Sequence, residues 1–165
     1  MKKIAVIILA IGLVIIFINN SSDILGAGTR VNQTISIPVA AITEFSISGA
    51  PPTLKINSAI PGFEPGQAIT ANATYNITTN ESNKKITGII NSAMPPGAVL
   101  TVNLAAPPGA ASLGDVALST VAADLVTGIS KVAVSGKQIT YKLSSTVAAG
   151  IIASTSRVVT FTVTN

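Results

Sequence analysis

The chain has 165 residues, no cysteine and no histidine, and only 10% of its residues are charged, against about 25% in an average soluble domain. The missing cysteines exclude disulfides, thiolate metal sites and thiol catalysis, and the missing histidines remove the usual general base near neutral pH. The surface is therefore expected to be polar but mostly uncharged. Such a surface suits extracellular and self-associating proteins, because little like-charge repulsion separates neighbouring subunits.

The formal net charge of +4 does not indicate a nucleic-acid partner. Two of the lysines, Lys2 and Lys3, belong to the N-terminal segment, and the other basic residues are scattered along the chain. No basic stripe is interleaved with aromatic residues, and the chain has no tryptophan to stack on bases. Nucleic acid is therefore not expected among the partners.

The N-terminus has the organisation of an export signal. A short basic segment is followed by an uncharged apolar run of fifteen residues, 4–18. A spanning helix needs about 20 apolar residues, so a signal peptide is favoured over an uncleaved anchor helix, which stays open as the alternative. Cleavage is predicted after Ala27. This gives a signal segment over residues 1–27 and a mature domain over residues 28–165, located outside the cell or at its surface and meeting the membrane only during export or through an uncleaved helix.

The rest of the chain has the pattern of β-strands. Segments rich in β-branched residues alternate between apolar and polar positions and are separated by Pro and Gly. The predicted strands cover residues 31–39, 68–78, 85–90, 99–104, 132–134, 138–143 and 157–164. Turns are predicted at residues 49–52, 61–62, 65–66, 95–97, 107–109 and 135–137, and the Ala-rich residues 116–126 are compatible with a short helical turn.

This pattern predicts an all-β fold. An antiparallel immunoglobulin-like β-sandwich of about eight or nine strands is favoured over a barrel. No repeat or long linker divides residues 28–165, so one domain is expected. The aromatic residues are too few for a sugar-stacking platform and are expected in the core. They are Phe45, Phe63, Tyr75, Tyr141 and Phe161.

The acidic residues are the main candidates for catalysis or metal binding. Beyond residue 27 they are Glu44, Glu64, Glu81, Asp115 and Asp124. They lie in or beside turns, which favours solvated or capping carboxylates over a glycosidase-type pair. No run of alternating acids supplies calcium ligands, and no nucleophile elbow or P-loop is present. The sequence therefore predicts a non-enzymatic protein with no catalytic residue, no cofactor and no metal.

Four glycosylation sequons follow the predicted signal segment, at Asn32, Asn72, Asn76 and Asn80. Three of them fall within residues 72–80. In an organism that glycosylates exported proteins, this cluster would mark a glycosylated face, whereas elsewhere an Asn/Thr-rich strand produces it by chance. The sequence leaves both interpretations open, with chance slightly ahead.

The two ends of the mature region resemble known secreted proteins. Residues 157–164 resemble the closing strand of fimbrial and other secreted immunoglobulin-like subunits. Val31, Ile35, Ile37 and Val39 form an alternating apolar row similar to the N-terminal extension that pilus-type subunits donate to a neighbour's sheet. The resemblance implies donor-strand exchange through residues 29–40. The same segment is equally compatible with the first strand of a self-contained sandwich.

Three functions compete at this point. The leading hypothesis is a structural subunit of a pilus, extracellular fibre or cell-surface coat, which forms a homo-oligomer or filament. The alternative is a monomeric adhesion module that recognises a glycan or a surface partner through loops such as residues 48–52 or 107–115. The third is an exported hydrolase that uses two carboxylates.

Overall fold

The computed structural model describes residues 28, 30–50 and 53–165. The signal segment predicted over residues 1–27, with its cleavage after Ala27, lies outside the described residues. Contacts within the chain divide it into two units, Met1–Val39 and Ala40–Asn165. In the part of the chain that is described, no helix combines the length and apolar character needed to span a membrane.

The second unit is built almost entirely of antiparallel strands. The nine described strands form two sheets, with the orders β1-β2-β8-β4-β6 and β5-β7-β3-β9. This architecture is consistent with a β-sandwich and confirms the predicted all-β class. The strands are β1 (Thr43–Ser48), β2 (Ala68–Thr79), β3 (Lys84–Ile90), β4 (Ala98–Leu104), β5 (Ala111–Ser112), β6 (Val116–Ala117), β7 (Ala123–Ile129), β8 (Val132–Ser145) and β9 (Val159–Thr164).

The core lies between the two sheets and follows the alternation of the sequence. Every second residue of β2 from Ala73 to Thr79 is buried, and so is every second residue of β4. Because successive side chains of a strand point to opposite faces, one apolar row of each strand enters the core. The most deeply buried large side chains are Tyr75, Ile77, Ile86, Ile90, Leu104, Leu125, Ile129 and Ile139.

Tyr75 is the one polar-tipped side chain among these most deeply buried residues. Its hydroxyl donates a hydrogen bond of 2.6 Å to the carbonyl oxygen of Ala105, which satisfies the polar end of an otherwise apolar ring. Burial raises the pKa of Tyr75 to about 12. The phenol therefore stays neutral at physiological pH and serves as a core residue.

The turn predicted at residues 135–137 is instead a bulge inside a continuous strand. β8 runs from Val132 to Ser145 and pairs with β2 on both sides of Gly136. Gly136 has a φ of 66°, and its N–H donates to Asn76 Oδ1 at 2.8 Å. A glycine with positive φ is the usual residue of such a bulge, and the Asn76 side chain keeps the bulged backbone hydrogen-bonded to β2.

Three other predictions are wrong. Residues 116–126 form no helical turn, because their ends pair as strands with β4 and β3. Phe63 is 71% exposed and lies outside the core. Residues 31–39 have no strand assignment. Conversely, β1 was not predicted, since only Phe45 and Ile47 mark its apolar face.

A leucine pair tests the position of the core. Leu104→Ala removes a fully buried side chain, so we expect the free energy of unfolding to fall by about 2–5 kcal/mol. Leu113 is 50% exposed, and Leu113→Ala is expected to change the free energy of unfolding by less than about 0.5 kcal/mol. Urea denaturation of the purified protein measures both values, and equal losses would contradict the described core.

Candidate functional site

The edge strands on one side of the two sheets are shorter than those on the other side. On one side lie β5 and β6, which have two residues each and belong to the segment that crosses between the sheets. At the far end of each sheet lie β1 and β9, which have six residues each. This second side, bounded by β1 and β9, is termed the open side. Longer edge strands offer more unpaired backbone groups to an incoming strand.

β1 places two apolar side chains at the margin of the core. Phe45 lies opposite Ile77 and Ile47 lies opposite Tyr75, and directly opposed residues of antiparallel strands share a face. The Phe45 and Tyr75 ring centroids are 5.7 Å apart. Whereas Tyr75 and Ile77 are fully buried, Ile47 remains 46% exposed. The core is therefore incompletely covered along β1.

β9 repeats this arrangement in the other sheet. Val159, Phe161 and Val163 lie opposite Ile90, Gly88 and Ile86 of β3. All three side chains face the core, as the alternation of residues 157–164 predicts, yet each is only partly buried. Two edge strands therefore present apolar, core-facing rows that an additional strand would cover.

The backbone of β9 lacks the usual protection of an edge strand. Its sequence is Val-Thr-Phe-Thr-Val-Thr, with no charge and no proline. Within the described residues β9 pairs with β3 alone, so the backbone groups on its other edge have no partner strand. Natural proteins usually blunt such an edge with Lys, Pro or a bulge. β9 is therefore the better of the two edges for accepting a strand.

A polar cluster connects the open-side strands at one end of the sandwich. It consists of Thr43, Thr79, Glu81, Lys84 and Asn165 and is termed the end cluster. Glu81 accepts a hydrogen bond of 2.8 Å from the Thr43 hydroxyl and lies 3.1 Å from Lys84 Nζ. Lys84 Nζ in turn donates to Asn165 Oδ1 at 2.6 Å. The first residue of β1 and the residue after β9 are thus linked through two side chains.

The end cluster is partly buried, because Lys84 and Thr79 are shielded whereas 35% of the Glu81 side chain and the terminal Asn165 are exposed. Lys84 shares its face of β3 with the buried Ile86, and only 12% of its side chain is exposed. Thr79, which is hydrogen-bonded to Thr43, is buried as well. The Thr43 hydroxyl and then Lys84 hold the pKa of Glu81 below its usual range. A charged pair with hydrogen-bonding neighbours therefore links the start of β1 to the residue after β9.

The first unit contains an apolar segment that is not buried. Val31, Ile35, Ile37 and Val39 are between 73% and 87% exposed, and residues 30–39 have no strand or helix assignment. In an extended conformation these odd-numbered side chains lie on one face, and Asn32, Thr34 and Ser36 lie on the other. The segment alternates apolar and polar residues as a half-buried strand does, but its apolar side chains are exposed.

The acidic candidates are engaged in separate structural roles. Glu64 accepts a hydrogen bond of 2.6 Å from the Val147 N–H at the short 3₁₀ turn, Val147–Ala149. Asp124 pairs with Lys85 at 3.1 Å, and Asp115 pairs with Lys142. Lys142 and Asn103 lower the pKa of Asp115. Each of these carboxylates thus has its own partner on a neighbouring segment, and Glu44 is exposed on the outer face of β1.

The described residues bring no three acidic side chains together in a way that would hold a metal ion. Of the two loops predicted as binding sites, residues 48–52 lie partly outside the described residues, and residues 107–115 include the edge strand β5. Sequence reasoning missed β1 and with it one border of the open side. The alternation of Phe45 and Ile47 was the available signal.

Compared with protein-family models, curated proteins and solved structures, the chain matches none of them. The functional interpretation therefore depends on the geometry of the chain itself.

The end cluster predicts a specific dependence of stability on pH. Because the pKa of Glu81 is lowered from 4.5 by folding, its carboxylate stabilises the fold above that value, and this stability is lost as the pH falls through the folded-state pKa. Glu81→Gln is expected to lower the melting temperature at pH 7 and to flatten its decline below about pH 4.5. Glu44→Gln, on the exposed face of β1, is the control and should keep the wild-type profile. Parallel curves for Glu81→Gln and wild type would contradict the described role of the cluster.

Proposed function

We propose that the protein is an exported structural subunit that assembles with copies of itself into a pilus, extracellular fibre or cell-surface coat. In this proposal, residues 29–40 of one copy add a strand to the open side of the next. One observation carries it: the same chain contains an unburied alternating apolar segment and an uncharged edge strand beside partly covered core side chains. The assembly is extracellular, following the predicted export signal.

The two surfaces complement each other in chemistry and size. A strand paired with β9 would direct Val31, Ile35, Ile37 and Val39 toward the row that contains Phe161 and would leave the polar row in solvent. Full burial of such a side chain contributes about 1.5–3 kcal/mol, before the cost of ordering the segment. At roughly 3.3 Å per residue, the nine residues from Val31 to Val39 span the whole of β9.

The proposal also states how an immunoglobulin-like sandwich would be completed. The second sheet would gain its outermost strand, next to β9, from a neighbouring copy, so that each sandwich is completed by its neighbour. The low charge of the chain supports close packing of identical subunits, since little repulsion opposes it. No enzymatic step is part of this function.

A truncation tests whether residues 29–39 drive assembly. The chain that begins at Gly28 is expected to form oligomers or fibres in size-exclusion chromatography and negative-stain electron microscopy. The chain that begins at Ala40 is expected to stay monomeric and folded. Starting at Ala40 preserves the carbonyl group that accepts a 2.7 Å hydrogen bond from Asn80 Nδ2, so β1 keeps this contact.

Substitutions in the full chain provide the matched control. Ile35→Ser with Ile37→Ser removes the apolar row and should abolish assembly, whereas Thr34→Ser with Ser36→Thr changes only the opposite row and should preserve it. A full chain that remains monomeric at high concentration would overturn the proposal. The monomeric binding module would then be preferred, and a glycan array would be the next measurement.

A synthetic peptide of residues 29–41 tests the acceptor strand. Added to the chain that begins at Ala40, it should raise the melting temperature in a concentration-dependent way, because it binds the folded state alone. Thr162→Lys places a charge on β9 and should weaken this effect, whereas Glu44→Lys on the outer face of β1 should leave it unchanged. Equal sensitivity of the two variants would contradict the assignment of β9 as the acceptor.

A further inference from the structure

The outer face of β2 carries a regular row of asparagines. Asn72, Asn76 and Asn80 are spaced four residues apart. They belong to the even-numbered row, which alternates with the buried odd-numbered row from Ala73 to Thr79. At roughly 3.3 Å per residue, neighbouring asparagines of the row are about 13 Å apart. Each begins a sequon, completed by Thr74, Thr78 and Ser82. Asn72 and Asn76 lie within β2 and Asn80 directly follows its last residue, so the surroundings of each sequon decide how the three sites differ.

The Asn76 side chain is committed to the fold. Its Oδ1 accepts the Gly136 N–H at 2.8 Å, and its Nδ2 donates to the Ser46 hydroxyl at 3.1 Å. The first bond satisfies the backbone of the β8 bulge, and the second connects β2 to β1. The amide plane of Asn76 is therefore held from both sides.

The Asn80 side chain is committed in a similar way. Its Oδ1 accepts the Ile42 N–H at 2.8 Å, and its Nδ2 donates to the Ala40 carbonyl oxygen at 2.7 Å. This pair of bonds extends the pairing of β1 with β2 beyond Thr79, next to the backbone bond of 3.2 Å that the Asn80 N–H donates to the Ile42 carbonyl oxygen. An amide used in this way is not free to turn toward an enzyme.

Asn72 differs in each of these respects. Its side chain is exposed and makes no hydrogen bond to the described residues. The pairing of β2 with β8 shifts between Thr70 and Ala73, which leaves an extra residue on β2 there. β1 pairs only as far as Thr74, and Gly49, with a φ of 108°, passes against the Asn72 backbone, where a Cβ would collide with its carbonyl oxygen. The backbone is thus packed, whereas the side-chain amide makes none of the hydrogen bonds to described residues that hold Asn76 and Asn80.

We propose that Asn72 is the N-glycosylation site of β2 and that Asn76 and Asn80 are structural amides. The co-reactant is a lipid-linked oligosaccharide, whose anomeric carbon–oxygen bond to phosphate breaks as a bond to Asn72 Nδ2 forms. The Nδ2 loses one proton to a base of the transferring enzyme, and the lipid phosphate leaves with the electron pair. The inference uses the predicted export but is independent of subunit assembly.

A glycan at Asn72 fits the surface on which it would lie. The chain is only 10% charged, so a hydrated sugar adds solubility that charges do not supply here. It would shield the stretch of β2 that extends beyond β1, an exposed sheet margin. Because Asn72 points away from the core, the sugar would leave the core-facing rows of the open side uncovered.

Peptide mapping of the protein isolated from its own cells tests the proposal. Trypsin leaves the three sequons on one peptide, since no Lys or Arg lies between Lys55 and Lys84, but cleavage after Tyr75 separates Asn72 from the other two. We expect mass spectrometry to find the glycan on the peptide that ends at Tyr75 and not on the peptide with Asn76 and Asn80. An unmodified Asn72, or a glycan on either of the other two, overturns the proposal.

Glutamine variants made in a host without N-glycosylation test the structural half. Asn76→Gln and Asn80→Gln are expected to lower the melting temperature, because the longer side chain displaces both hydrogen bonds. Asn72→Gln is expected to leave it unchanged. A loss for Asn72→Gln as large as for Asn80→Gln would show that Asn72 is a structural amide too. Assembly of the Asn72→Gln variant, measured separately, keeps this result distinct from the proposed function.

Discussion

The structure depends on the burial of one apolar row from each of the longer strands between two antiparallel sheets. β2 and β8 are the longest strands, and their pairing holds together the sheet that contains β1 and β4. Their pairing stays in register at both ends because each strand carries one bulged residue, at different points along the pair. The burial is nearly total in the centre and decreases toward β1 and β9, since each of these strands has a neighbour on one side alone.

The open side follows directly from this constraint. An edge strand has backbone groups without partners, and here its core-facing side chains also have incomplete cover. The end cluster links β1 to the residue after β9 at one end through Glu81 and Lys84. An acceptor that is already ordered loses less entropy when a strand binds. In the proposed assembly, the exposed apolar segment of a neighbouring copy would be the complementary half of such an interaction.

Polar side chains stabilise this arrangement by joining segments that are distant in the sequence. Asn76 and Asn80 replace missing backbone hydrogen bonds, and the carboxylates of Glu64, Asp115 and Asp124 each join two segments that are distant in sequence. These are the uses open to a chain with few charges and no histidine. On the outer face of β2, Asn72 makes no side-chain hydrogen bond to the described residues, and a glycan proposed there would hydrate an uncharged surface.

The sequence by itself determined the all-β class and the inward rows of β2, β4 and β9, because a period of two fixes which side chains share a face. It also predicted turns where Pro and Gly interrupt that period. Tertiary structure decided the rest. Gly136 became a bulge because Asn76 lies across from it, and the two ends of residues 116–126 became strands because β4 and β3 offered partners. Phe63 stayed exposed because none of the described strands covers its loop. Whether an alternating segment pairs, forms a bulge or stays unpaired depends on which strand edge lies beside it. The position of that edge is set by residues far apart in the chain.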